Sequence, residues 1–324
     1  MSSRWVWARS LAGVAILAVL VWRVGTGPFL HAIPMIDARS LAAVVAVSGV
    51  TTVCCAWRWR LVAGGLGLGV PLPRAVAAYF RSQFLNTTLP GGVLGDVHRG
   101  WRHGRETGDL GRAARAVAWE RVAGQLVQAV LAVLVLLALP SPVRPSLPLV
   151  LAGATLTLVV AAVLAGARAR SGRTVWGRLA RTAAEDLRHG LLSRQVWPGV
   201  VLASAVAVAG HVTVFLVAAR VAGSNASTRE LLPLAVLVLL AMSVPTNVGG
   251  WGPREGMAAW AFSAAGLGAA EGVATAVVYG VLSFAASLPG AVVLVIGWWH
   301  GRRPVTADTD PAAWRPTTEG AVRA

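Results

Sequence analysis

Apolar positions along this chain run in long unbroken blocks rather than alternating with polar ones. Six blocks reach the length of a lipid crossing: residues 5–22, 41–57, 116–139, 149–166, 196–219 and 271–299. About 20 apolar residues of helix cross a hydrocarbon core. Each block is predicted to be one transmembrane helix. Tryptophans at positions 5 and 22 bracket the first block, as suits the two interfaces. It shows no small-residue cleavage pattern, so it reads as a retained span.

Two further apolar stretches stop too early. Residues 75–89 break at Pro90, Gly91 and Gly92, and residues 231–244 break at Pro245. The first break continues through Gly95, Asp96 and Arg99 into an arginine-rich link. The second continues through Asn247, Gly249, Gly250, Gly252, Arg254 and Glu255 into another half-length helix at 257–267. Irregular backbone at membrane depth is tolerated only where protein or a water-filled cavity surrounds it. The expectation is all-α: a polytopic helical bundle of about six full spans plus two re-entrant broken helices. Eight complete crossings joined by ordinary Gly/Pro loops are the alternative.

The breaks resemble one another: a short apolar helix, a proline, a glycine cluster, then an acid and a base. If the arginine-rich loops share one side, spans two and three run opposite to spans five and six. That is an inverted-topology repeat, with halves of about 38–166 and 196–300. Transporters of this kind place the site at the midplane between paired broken helices. Residues 1–300 form one transmembrane domain in this reading, and 301–324 a disordered cytoplasmic tail.

Composition narrows the class. Of 324 residues, 56% are hydrophobic and 13% charged, and all 29 basic residues are arginine, giving a formal net charge of +16. Mean hydropathy is +0.66. Arginine retained in short cytoplasmic loops explains the charge without nucleic acid. It places both termini, 99–115 and 168–194 inside, in a bacterial cytoplasmic membrane. The adjacent Cys54 and Cys55 have neither zinc nor redox spacing. The glycine run from Gly64 to Gly69 lacks nucleotide-loop spacing and reads as a flexible connector.

Chemistry concentrates at the breaks. Glycine lets backbone approach a ligand closely, and free N–H groups at half-helix N-termini favour phosphate. Asp96 either caps the following helix or pairs with a cation. Glu120 and Arg121 lie just inside the third span, where ionisable residues are functional candidates. Gln125 and Gln128 continue their faces. Arg254 and Glu255 hold the matching place in the second half. Cross-pairing of Glu120 with Arg254, or Arg121 with Glu255, is the expected lock between halves. Arg81 and Gln83 are expected to face the same cavity, and His211 to be a packing residue.

The motif Asn86-Thr87-Thr88-Leu89-Pro90-Gly91-Gly92-x-x-Gly95-Asp96, with Glu120-Arg121 downstream, is followed by Pro245-Thr246-x-x-Gly249-Gly250-x-Gly252-x-Arg254-Glu255-Gly256. In this order the two resemble the lysylphosphatidylglycerol synthase transmembrane-region family, from about Arg39 to Trp299. That family includes the flippase half of the multiple peptide resistance factor. The resemblance implies a flippase for a phosphate-bearing polar lipid. The lipid would be an anionic or aminoacylated phospholipid or a lipid-linked glycan. The candidate substrate-binding residues are Asn86, Thr87, Pro90, Gly91, Gly92, Gly95, Asp96, Glu120, Arg121, Pro245, Asn247, Gly249, Gly250, Gly252, Arg254 and Glu255. No synthase half follows Trp299, so aminoacyl transfer is not expected. No cofactor, metal or nucleic-acid partner is expected either. Two other functions compete: an accessory scaffold for lipid or lipid-linked glycan biosynthesis, and a membrane transferase acting on a lipid phosphate. A transferase usually needs a metal held by paired carboxylates. Asp96, Glu120 and Glu255 are single.

Overall fold

The structure is a computed structural model. It describes residues 36–89, 92–146, 148–149, 152, 163, 175–243 and 252–301. The first expected span, most of the fourth, the tail, and the break residues Pro90, Gly91, Pro245, Asn247, Gly249 and Gly250 lie outside these. The described residues are helical, with no strand among them.

Helix α1, Ala38–Gly65, starts where Asp37 accepts a 3.1 Å bond from the Ser40 amide. It outruns the expected span because Gly64 and Gly65 are its last turn rather than a connector. A Cβ on Gly65 would sit 2.7 Å from the Gly190 carbonyl oxygen, so this glycine serves helix contact. Helix α2, Leu72–Thr88, is followed by α3, Leu94–Thr107, and α4, Leu110–Ala138, which Asp109 caps through the Arg112 amide. Helix α5, Val175–Glu185, runs into a wide π turn at Asp186–Leu191.

The second half comprises α6, Trp197–Val221; α7, Thr228–Met242; α8, Pro253–Ala264; α9, Ala269–Ser287; and α10, Pro289–Gly301. Ser227 and Glu230 cap α7 reciprocally. The last expected span is interrupted at Leu288, where Pro289 starts α10.

Four stretches are long and apolar enough to cross a membrane: Ala38–Gly65, Leu110–Ala138, Trp197–Val221 and Ala269–Ile296, with mean hydropathy from 1.8 to 2.3. The helices beside the breaks are shorter. At ~1.5 Å per residue, none of α2, α3, α7 and α8 reaches the ~30 Å of a hydrocarbon core. In the first half they form a hairpin. Helix α3 returns along α2, with Gly95 against Ser82 and Asn86.

Contacts among α1–α4 and α6–α9 map onto themselves when the two sets are exchanged. Helices α1 and α6 meet. Helix α4 touches α6 and α7, as α9 touches α1 and α2. The α2–α3 and α3–α4 contacts recur as α7–α8 and α8–α9. Small residues permit the α1–α6 approach, as in lipid-embedded interfaces. A Cβ on Gly210 would lie 2.3 Å from Thr51 Oγ1, and one on Gly199 would lie 2.6 Å from Leu61 Cδ1.

The main apolar core lies mostly in the second half, around Phe215, Leu231, Leu234, Phe262, Val277 and Tyr279, and takes in Val44, Ala132 and Leu136 from the first. Helix α7 is buried continuously from Pro233 to Leu239, as befits a helix apolar on all sides. Helix α4 instead turns Val122, Leu126, Val130, Leu134 and Leu137 outward, all at least 44% exposed. Their spacing makes one stripe, the pattern of a lipid-facing side. Glu120, two residues before Val122 and so on the opposite side of α4, is fully buried.

Candidate functional site

Between the halves lies a cavity of about 720 Å³, within the ~300–1,000 Å³ range of ligand sites. Helices α1, α2, α4, α6, α8 and α9 all contribute to its lining. So do Met242 at the end of α7, and Gly92 and Asp96 at the start of the hairpin's return.

The first cluster centres on Glu120, which is fully buried. Arg58 donates through both Nε, at 2.8 Å, and Nη2 to Oε1. Tyr79 donates its hydroxyl to the same oxygen at 3.1 Å. Arg99 Nη2 reaches Oε2 at 3.0 Å. A third Arg58 nitrogen, Nη1, donates to Ser204 on α6 at 3.1 Å. One carboxylate thus holds two guanidinium groups from two helices. The Arg99 guanidinium carbon also lies 4.6 Å from the Trp59 ring centre and 4.4 Å from that of Tyr79. Cation–π attraction offsets part of its desolvation.

Asp96 is the second anchor. Ser82 and Asn86 each donate to it at 2.9 Å, and Arg99 at 2.8 Å. Arg121 Nη2 lies 3.0 Å from Oδ2. Asp96 therefore pairs with cations, the second of its two sequence readings. Val93 occupies the cap position of α3 without a side-chain bond. Arg121 differs from Arg58 and Arg99 in exposure. Its side chain is 42% exposed, against 9% and 1%.

Gly95 makes this anchor possible. A Cβ there would lie 2.0 Å from the Ser82 carbonyl oxygen. Only glycine lets α3 sit so close to α2, while the Gly95 amide donates to Asn86 Oδ1 at 2.8 Å. Gly92 has φ +60°, in the left-handed region.

The second half holds its own pair. Glu255 is fully buried. It accepts from Arg254 Nε at 2.8 Å and from the Gly252 amide at 2.7 Å, and so also caps α8. The guanidinium carbon of Arg254 lies 5.6 Å from the Tyr279 ring centre. The expected lock is thus replaced by pairs within each half: Glu120 with Arg58 and Arg99, Arg121 with Asp96, and Arg254 with Glu255. Adjacency explains the last. Residues 254 and 255 sit in the first turn of α8, where the arginine side chain reaches its neighbour's carboxylate.

Polar links between halves come from elsewhere. Gln128 Nε2 donates to the Leu239 carbonyl at 2.9 Å and to Ser243 Oγ at 3.3 Å. Thr87 and Ser287 hydroxyls lie 3.3 Å apart. Gln125 and Gln128 both line the cavity, and His211 lines it too, 3.4 Å from the Tyr279 hydroxyl. Gln83 faces the cavity but Arg81 does not. Two residues along a helix rotate a side chain by roughly 200°, so these two look to opposite sides of the hairpin.

Sequence reasoning missed Arg58, Arg99 and Tyr79. Arg99 reads there as part of the arginine-rich inside link, and Arg58 and Tyr79 are not singled out as site residues. A signal existed for Arg58: apolar residues flank it on both sides, so the helix continues past it.

No curated protein and no solved structure matches this chain. A family model described as the lysylphosphatidylglycerol synthase TM region matches residues 6–290. That is most of the chain, and it contains every residue of the cavity. The protein is therefore a membrane protein belonging to the lysylphosphatidylglycerol synthase TM region family, a family associated with lipid substrates.

Proposed function

We propose that this protein moves a phosphate-bearing polar lipid across a bacterial cytoplasmic membrane. The headgroup would pass through the cavity while the acyl chains stay in the bilayer. One observation carries this reading: a cavity between the two halves is walled by Arg58, Arg121, Arg254 and Asp96, with amides and hydroxyls around them. Such a lining supplies donors for a phosphate without a large unbalanced charge. Arg58 and Arg99 are held by Glu120 and give the cavity a fixed field. Arg121 is the exchangeable arm. Its side chain is 42% exposed, and Asp96 keeps Ser82, Asn86 and Arg99 when Arg121 leaves, so this is the cavity ion pair that opens at least cost.

The repeat halves, about 38–166 and 196–300, are the two bodies whose relative motion would expose the cavity to alternate sides. The symmetric contact pattern supports this division. The arginine-rich loops and both termini are placed on the cytoplasmic side. Arg105→Cys should then resist an impermeant thiol reagent applied outside intact cells. Ready labelling would reverse the orientation.

The direct test is reconstitution into liposomes with headgroup-labelled phosphatidylglycerol, reading loss of outer-leaflet label with time. Wild type should equilibrate the label, and Arg121→Gln should slow it at least tenfold at equal protein incorporation. Label movement no faster than in protein-free liposomes, or equal in the variant, overturns the reading.

A further inference from the structure

On the opposite side of the α2–α3 hairpin lies a second cavity, of about 380 Å³. Trp59, Arg74, Arg81, Arg99, Arg102 and His103 line it. The transport reading makes no use of this cavity, and its chemistry is independent of that reading.

Four of these side chains are buried with unmade hydrogen bonds. Arg81 is 7% exposed, Arg99 1%, His103 4% and Trp59 2%. Arg81 Nε, Arg99 Nε and Nη1, His103 Nε2 and Trp59 Nε1 have no hydrogen-bond partner among the described residues. Buried donors are normally paired, because leaving them unpaired costs free energy. Here several from three helices surround one space. Arg99 spends only Nη2 on Asp96 and Glu120. Its Nε and Nη1 are left without a partner among the described residues, on a side chain that borders this cavity.

The charge balance points the same way. Four arginines line the space against one carboxylate, Glu106. That carboxylate is engaged at the exposed rim by Arg102 Nε at 3.0 Å. A ligand must therefore be an acceptor, anionic and small. Guanidinium groups suit an oxyanion because their planar fork matches its oxygens.

We propose that this cavity is a binding site for a phosphate-type oxyanion. Arg81 and Arg99 supply the buried donors, Trp59 a fixed indole N–H, and Arg74 and Arg102 the rim. The phosphate can belong to a lipid headgroup entering from the bilayer surface or to a free ion. Arg99, which lines this site, reaches the main cavity's lining through its bond to Asp96. Occupancy would add a third anionic partner to an arginine already holding Asp96 and Glu120.

The test uses the full-length protein purified in a phosphate-free neutral detergent. Inorganic phosphate and water-soluble dihexanoylphosphatidylglycerol are titrated separately by calorimetry. At least one should bind saturably, and Arg81→Gln should weaken it tenfold or more. Arg229→Gln, at an exposed arginine of α7 outside both cavities, should leave it unchanged. Saturable binding of inorganic phosphate supports a free-ion site. Binding of the lipid probe alone, weakened by Arg81→Gln, supports a headgroup site. If Arg81→Gln does not fold, Arg74→Gln and Arg102→Gln at the exposed rim should each weaken binding at least threefold. The proposal falls if neither probe binds. It falls equally if binding is lost with Arg121→Gln but kept with Arg81→Gln, or is insensitive to the rim variants. None of these readings measures transport, so failure of the transport proposal leaves this result standing.

Discussion

Arg58 and Glu120, 62 residues apart in the chain, meet inside the bundle with two guanidinium nitrogens on a single carboxylate oxygen. The carboxylate's other oxygen is occupied by Arg99 at 3.0 Å. Glu120 thus ties α1 to α4 and to the returning arm of the hairpin. We predict that Glu120→Gln destabilises the protein by ~3–5 kcal/mol, because it strands buried guanidinium charge. Arg58→Gln with Glu120→Gln should lose less than the sum of the single changes, with a coupling of ~0.5–3 kcal/mol. Thermal unfolding of the four proteins in one detergent measures this. Strictly additive losses would show that the pair contributes nothing jointly.

The hairpin depends on backbone proximity at Gly95. A methyl group there would lie 2.0 Å from the Ser82 carbonyl oxygen, so the helices must separate. We predict that Gly95→Ala costs at least the ~1–3 kcal/mol typical of overpacking. It should also loosen the grip of Ser82 and Asn86 on Asp96. Gly64→Ala is the contrast. It is helical, and a Cβ there meets nothing within 4 Å. Replacing a helical glycine by alanine in open space gains up to ~1 kcal/mol. Equal unfolding temperatures for the two variants would refute the packing argument.

Two other glycines make room for guanidinium groups. A Cβ on Gly124 would sit 2.7 Å from Arg58 Nη1, and one on Gly280 would sit 2.3 Å from Arg254 Nη2. An arginine can normally swing aside, but these are committed to Glu120 and Glu255. We predict that Gly124→Ala and Gly280→Ala each lower stability by ~1–3 kcal/mol. Each should also slow lipid movement. Gly49→Ala, in open space on α1, should do neither. Unaltered unfolding and lipid movement in both cavity variants would mean that the ion pairs relax without cost.

Much of this architecture is legible from residue patterns, and the exceptions have a common cause. Apolar block length gives the long helices, and the order of the two broken motifs gives the family. That residues 120, 121, 254 and 255 form ion pairs is legible too. Their partners are not, because an ion pair depends on which faces of different helices meet. Arg58 and Arg99 illustrate this. Arginines near helix ends serve topology on average, and only the folded bundle shows these two turned inward. Gly65 misleads differently: a glycine run suggests a connector, yet two of its members are helical and one sits against Gly190. The opposite facing of Arg81 and Gln83 follows from helix geometry once α2 is known to continue through both.

Gly92 lines the main cavity and has φ +60°. A side chain there meets two separate obstacles. The first is backbone strain. Left-handed conformation costs most residues ~1–2 kcal/mol, and asparagine tolerates it better. Gly92→Asn should therefore unfold at a higher temperature than Gly92→Ala. The second is space, because Gly92 lines the cavity through which the proposed transport carries the headgroup. Gly92→Leu should share the backbone strain of Gly92→Ala, so any extra loss of lipid movement reports the blocked cavity. We expect Leu to slow transport at least tenfold beyond Ala, compared in liposomes at matched protein content. Matching transport by Ala and Leu would remove Gly92 from the headgroup path. Matching stability of Ala and Asn would remove the left-handed turn as the reason for glycine here.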